Sequence, residues 1–281
     1  MARIKSDRFL LSEKFYSIQG EGKTTGYPSY FIRLSQCNLT CGCSSTYVNN
    51  LKKVDDPLQE KKPGGFKGDL HESDKASWTC DTIPVWIKYR EEEFHNIIDQ
   101  WVEDGLYNDI KSGLIHIIWT GGEPLIQQDS IVEFMRYWQL RPNIKPGELL
   151  TVYTEIETNG TLYINDDLFN IVTQINCSPK LSNSGQIKSM RINDKSIKRI
   201  MDHPNYQFKF VISTEDDIFE MFDTYINPFN MPLRNVVCMP GLDNRDDFFE
   251  RTKWVMEMAK KYKFIGLSRM HVASWNQLTG V

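Results

Sequence analysis

LIHIIWTGGEPLIQQDSIVEFMRYWQL, residues 114–140, reads as one strand, one turn and one helix. LIHIIWT (114–120) is an apolar strand, two glycines end it, and DSIVEFMRYWQL (129–140) repeats its apolar positions with helical spacing. The strand is apolar at consecutive positions, as expected where both faces of a sheet are covered. The same unit recurs on either side. SYFIRLS (29–35) precedes it, and LTVYTEIET (150–158), VTQINCS (172–178), YQFKFVIS (206–213) and NVVCMP (235–240) follow as strands. EEEFHNIIDQWVEDG (91–105) reads as an amphipathic helix with acidic residues in its first turn. Further helical patterns occupy 195–203, 215–226 and 246–262. Repeating βα units predict an α/β fold with a mostly parallel sheet, open or closed as a partial barrel. Six such strands fall short of the eight of a full TIM barrel.

One segment breaks this rhythm. Residues 44–76 carry six Lys, six Asp or Glu, two Pro and three Gly with little periodicity, so they read as an insertion in a single domain spanning 1–281. The insertion is either a solvated flap or a working lid.

The net charge of -4 argues against non-specific binding to nucleic acid or an anionic membrane. No apolar run approaches the ~20 residues that span a bilayer. The amino terminus, MARIKSDRFLLSEKF, lacks the apolar core of a signal peptide, so a cytoplasmic protein is expected. Its six cysteines should then be reduced, which favours metal binding or redox chemistry over disulfides.

Three of the six lie in CNLTCGC, at Cys37, Cys41 and Cys43. Structural zinc usually draws on C-x2-C pairs and four ligands, and no C-x2-C occurs in the chain. Buried structural thiols are a second reading, which suits Cys177 and Cys238 in their apolar strands better than this cluster. An iron–sulfur cluster held by three thiolates, with one iron left open, is the third.

The surrounding residues add a resemblance. FYSIQGEGKTTGYPSYFIRLSQCNLTC (15–41) is similar to the opening of the radical SAM 7-carboxy-7-deazaguanine synthases of the QueE type. CDT (80–82), TGGEPLIQ (120–127), ETNGT (157–161), SPKL (178–181) and LSRMH (267–271) follow in that family's order, so the resemblance spans nearly the whole chain. It implies a partial (β/α)6-type barrel and a 4Fe–4S cluster on Cys37, Cys41 and Cys80, the family's three-cysteine motif being split by the insertion. Cys43 stands close enough in sequence to replace Cys41 as the middle ligand. S-adenosylmethionine would meet Gly121, Gly122, Glu123, Glu157, Thr158, Asn159, Ser178 and Lys180, with Cys238, Met239 and Pro240 facing its adenosine. The substrate, 6-carboxy-5,6,7,8-tetrahydropterin, would meet Ile18, Gln19, Gly20, Thr120 and His271, and Arg33 would take its carboxylate. Thr82 would contact Mg2+.

The implied reaction is a radical ring contraction to 7-carboxy-7-deazaguanine with loss of ammonia, a step toward queuosine-type 7-deazapurines. A flavodoxin or ferredoxin would donate electrons, and the family's usual assembly is a homodimer. No nucleic-acid or membrane partner is expected. Two other readings remain: a radical SAM activase that installs a glycyl radical on a partner protein, and a non-enzymatic metal-binding interaction module.

Overall fold

The computed structural model describes residues 7–55, 76–80, 82–141, 150–241, 245–276, 278 and 280. Asp81 and residues 56–75 of the expected insertion lie outside the described residues. Among the described residues nine strands form one sheet: β1 (Arg8–Ile18), β2 (Pro28–Leu34), β3 (Arg90–Glu93), β4 (His116–Gly121), β5 (Thr154–Thr158), β6 (Gln174–Cys177), β7 (Tyr206–Ile212), β8 (Val236–Pro240) and β9 (Ile265–Gly266). Their order is β3-β1-β2-β4-β5-β6-β7-β8-β9. From β2 to β9 every neighbouring pair is parallel, whereas β1 runs antiparallel to both β2 and β3.

The six strands expected from sequence are β2 and β4 to β8. Their order never reverses, which separates the fold from doubly wound sheets. Right-handed crossovers between successive parallel neighbours put their helices on one face of the sheet. The sheet curls with that face outward as a partial barrel, and among the described residues no ladder joins its two ends.

Two regions differ from the sequence reading. The acidic run Glu91, Glu92 and Glu93 is not the first turn of a helix. It is β3, paired with Arg8, Phe9 and Leu10 of β1, and the helix begins at Phe94. Cross-strand cations favour this: Arg8 reaches Glu91 at 2.8 Å and Lys14 reaches Glu92 at 2.9 Å. The described start of the insertion is a helix, Ser45–Leu51, where the Ser44 hydroxyl accepts from the Tyr47 N–H at 3.1 Å. Tyr47, Val48 and Leu51 pack with Cys43, Ile83 and Trp86 in a small core of their own.

The two faces of each strand part company. Ile32 and Leu34 of β2, Ile117 and Trp119 of β4, Ile156, Ile175, and Phe208 and Phe210 of β7 join the helices in the main apolar core. Alternate residues face inward: Phe31 and Arg33, Thr120, Glu157, Lys209 and Val211, and Met239. Period-two alternation thus gives the barrel an oily outside and a polar lumen. No helix among the described residues is long and apolar enough to cross a membrane.

Candidate active site

A cavity of about 320 Å3 opens at the carboxyl ends of the parallel strands, where barrel and open α/β folds place their ligands. Cys37, Cys41 and Cys80 line one part of it, and Cys43 does not. Cys43 is fully buried in the small core behind them. The Cys80 N–H donates to the Cys41 carbonyl at 3.0 Å, so the two segments that flank the insertion meet at the site.

Burial pushes the Cys37 thiol far above its ordinary value, with Cys41 and Glu123 adding to the effect. Burial likewise raises Cys41, to about 12, although Lys180 opposes it. Such thiols ionise only against a strong positive charge, which a bound metal centre provides. Among the described residues no three His, Cys, Asp or Glu side chains converge on one metal ion. A cluster presents separate irons to separate thiolates, so its ligands need not converge on a point, and three thiols along one cavity wall fit that demand.

The two glycines that end β4 set the cysteine loop in place. Gly121 has φ +144°, and a Cβ there would lie 2.0 Å from the Leu34 carbonyl oxygen. A Cβ on Gly122 would lie 2.1 Å from the Gln36 carbonyl oxygen and 2.7 Å from Cys37 Cβ. Only glycine lets β4 pass this close to the chain that enters Cys37. Both line the cavity, as do Thr120, Thr158, Asn159, Ser178 and Lys180. The Lys180 ammonium donates to the Ser178 hydroxyl at 3.0 Å and lies over the Trp78 ring.

Glu123 is turned away from the cavity. Its carboxylate accepts from the Leu125 N–H at 3.1 Å, the Thr158 hydroxyl at 2.9 Å and the Asn159 N–H at 2.7 Å, tying the β4 turn to the end of β5. Burial outweighs these donors and raises Glu123 to about 7. Contacts to a ligand from this stretch are therefore left to its backbone.

A charged group lines the same cavity. Lys209, 3% exposed, reaches Glu157 at 2.6 Å and Glu21 at 3.2 Å, and Arg269 reaches Glu21 at 3.0 Å. Burial alone would raise Glu21, but Lys209 and Arg269 hold it well below the carboxylate range. Burial would likewise lower Lys209, yet its two carboxylates hold it above the lysine range. At Glu157 burial wins over Lys209 and raises the carboxyl. The Gln19 amide donates to Glu157 at 3.3 Å. Ile18, Gly20 and His271 line the same region, where a Cβ on Gly20 would lie 2.4 Å from His271 Nδ1. Arg33 donates through Nε to Glu13 at 2.7 Å, leaving its other N–H groups for a planar anion.

Of the expected positions, Glu123, Cys238 and Pro240 are not among the residues that line the cavity. Met239 lines the cavity but Cys238 and Pro240 do not; the Cys238 thiol faces the Met221 sulfur, 3.6 Å away in the main core. Cys238 is an inner-core residue because β8 alternates, and Met239 takes the lumen side. Thr82 lines the cavity with its hydroxyl 3.2 Å from the Cys80 sulfur. The charged residues Glu13, Glu21, Lys209 and Arg269 were not expected here. A lysine between alternating aromatics in YQFKFVIS was the one signal for Lys209.

No protein-family model matches the chain. Among curated proteins, the 7-carboxy-7-deazaguanine synthase of Pyrobaculum aerophilum is 25% identical over 276 residues, covering 97% of each chain. That of Halobacterium salinarum is 25% identical over 293 residues, covering 95% of this chain and 90% of its own. That of Rhodopirellula baltica is 27% identical over 281 residues, covering 96% and 88%. Among solved structures, QueE from Escherichia coli superposes with a TM-score of 0.57 at 20% identity, covering 94% of this chain and 95% of its own. Over nearly its whole length the chain is therefore similar to the 7-carboxy-7-deazaguanine synthases in sequence and to QueE in fold.

Proposed function

We propose that the chain is a radical SAM lyase that converts 6-carboxy-5,6,7,8-tetrahydropterin to 7-carboxy-7-deazaguanine and ammonia, in 7-deazapurine biosynthesis of the queuosine type. One observation carries this reading: a single cavity is lined by the thiols Cys37, Cys41 and Cys80 and by the charged residues Arg33, Glu21, Lys209 and Glu157. A 4Fe–4S cluster and S-adenosylmethionine bound there supply a one-electron route to a hydrogen-abstracting radical. The protein's own part is to hold, orient and exclude.

Arg33, steadied by Glu13, offers a bidentate fork to the substrate carboxylate, and His271 lines the same cavity next to Gly20. Gln19, the backbone at Ile18 and Gly20, and the Thr120 hydroxyl read the polar edge of the pterin. The backbone of Gly121, Gly122 and Glu123, the Ser178 hydroxyl and the Lys180 ammonium suit the amino-acid end of S-adenosylmethionine. Glu157, Thr158, Asn159 and Met239 suit its ribose and base. Thr82 would offer one hydroxyl oxygen to Mg2+, a hard ion that prefers oxygen ligands. A single-domain chain working in the cytoplasm as a homodimer, with flavodoxin or ferredoxin as electron donor, completes the proposal.

The test is an anaerobic assay with reconstituted cluster, S-adenosylmethionine and the carboxytetrahydropterin, read by mass spectrometry. The expected product is 7-carboxy-7-deazaguanine, absent in Cys80→Ala. Cleavage of S-adenosylmethionine without that product would favour an activase. A colourless, zinc-loaded protein would favour a binding module.

A further inference from the structure

The insertion leaves the fold after Cys41 and re-enters before Cys80, with 38 residues between them. Its two ends form a narrow neck. Gly42, with φ +73°, lies so close to the returning chain that a Cβ there would stand 1.9 Å from the Trp78 carbonyl oxygen and 2.7 Å from Thr79 Cα. The Cys80 N–H then donates to the Cys41 carbonyl.

Both sides of the neck are gripped by one turn, Ser182–Ser184, which follows the SPKL motif. The Gly42 N–H donates to the Ser184 carbonyl at 2.7 Å, and the Ser77 N–H donates to the Asn183 carbonyl at 2.9 Å. The Asn183 side chain is 4% exposed and spans two elements. Its Oδ1 accepts from the Trp78 indole N–H at 3.0 Å, while its Nδ2 donates to the Val211 carbonyl on β7 at 3.0 Å. The turn is itself braced from behind, the Ser182 N–H donating to Glu220 at 3.0 Å.

We propose that this turn is a clamp on the neck, and that the clamp, not the length or content of the insertion, sets where the third thiol stands. Asn183 is then a positioning residue: it touches neither thiol but fixes the segment that delivers Cys80. The proposal rests on the reading of Cys37, Cys41 and Cys80 as cluster ligands. A thiol held in place before metal arrives binds it without the cost of ordering the chain.

The experiment compares reconstituted parent, Cys80→Ala, Asn183→Ala, Trp78→Phe, the Asn183→Ala/Trp78→Phe double variant, and a chain in which 56–75 is replaced by a Gly/Ser linker of about ten residues. Iron and sulfide per chain, the electron paramagnetic resonance spectrum, and the rate of iron loss to a chelator are read beside the melting temperature. Losing the indole–amide hydrogen bond at the neck should speed iron loss about tenfold in Trp78→Phe, and at least as much in Asn183→Ala, which also loses the bond to Val211. The double variant should be no faster than Asn183→Ala, because that change already removes the bond that Trp78→Phe removes. The linker chain should hold iron at the parental rate with the parental spectrum.

If the parent binds no iron, or Cys80→Ala binds as much, the cluster reading falls and takes the clamp with it. If that reading stands but Asn183→Ala folds and keeps iron at the parental rate, the clamp alone is overturned. Should Asn183→Ala not fold, Trp78→Phe decides the same point. A linker chain that loses iron faster, or does not fold, overturns the claim that the insertion is dispensable.

Discussion

Along β7 the chain alternates between two environments. Phe208 and Phe210 go outward into a wall of rings and aliphatics, while Gln207 and Lys209 go inward, equally buried, into a polar lumen. The outer face gains by excluding water from apolar surface, so it tolerates no voids. The inner face keeps charges dry at a cost that only mutual pairing offsets. Burial is therefore not one thing in this protein: it stabilises on one side of the sheet and prepares for ligands on the other.

The sharpest way to test that contrast is to damage each face in turn. Trp119 is fully buried, lies 5.5 Å from the Phe134 ring and 5.6 Å from the Phe9 ring, and donates to the Thr154 hydroxyl. Trp119→Ala should cost about 3–5 kcal/mol in urea unfolding while the folded fraction keeps its iron. A loss under about 1 kcal/mol would mean that the outer face is not where stability resides.

On the inner face, Lys209→Met removes the cation between two buried carboxylates and should cost about 3–4 kcal/mol. Arg269 still faces Glu21, which keeps the loss from being larger. Adding Glu157→Gln should recover part of it, and a double variant no better than the single would show that charge pairing is not what the lumen needs.

A smaller effect follows from Glu123, whose folded value near 7 lies above its ordinary 4.5. Raised in the folded state, it favours folding below pH 4.5, and that contribution is lost as pH rises through 7. Between those limits the stability of the metal-free parent relative to Glu123→Gln should fall by about 2–3 kcal/mol. Glu21 acts in the opposite sense: held low, it contributes above its ordinary value and loses that contribution in acid. A parent-minus-variant difference that stays flat with pH would remove Glu123 from this account.

The smallest effect belongs to Cys43, whose thiol packs in the insertion's own core. Cys43→Ala should cost about 1 kcal/mol and leave iron content unchanged. Loss of the cluster in that variant would place Cys43 in the ligand set.

The βα rhythm was legible because consecutive apolar residues in β4 and β8 and alternating ones in β5 and β7 are separated by turns and helical patterns, and β2 and β4 to β8 appear where those segments fall. β1 escaped because its middle, Ser12, Glu13 and Lys14, looks solvated, and three glutamates in a row imitate a helix start when they are an edge strand. In the site, the thiols, the glycine turn and Arg33 were legible through ordered motifs. Lys209 was not: a lone lysine reads as surface, and its partner Glu21 stands 188 residues away. The placing of Cys41 and Cys43 was likewise hidden, since two residues apart in sequence one lines the cavity and the other packs in the small core.

The open ends of the sheet carry a colloidal consequence. A sheet that does not close has two edges where another chain could add a strand. Here one edge is β3, four residues long with Arg90 and Glu91 exposed, and the other is β9, two residues long. A short charged strand repels its own copy, and a two-residue strand offers too few backbone groups to template a third. Among the described residues the two sheet edges are thus poor templates for edge-to-edge polymerisation, without a closed barrel.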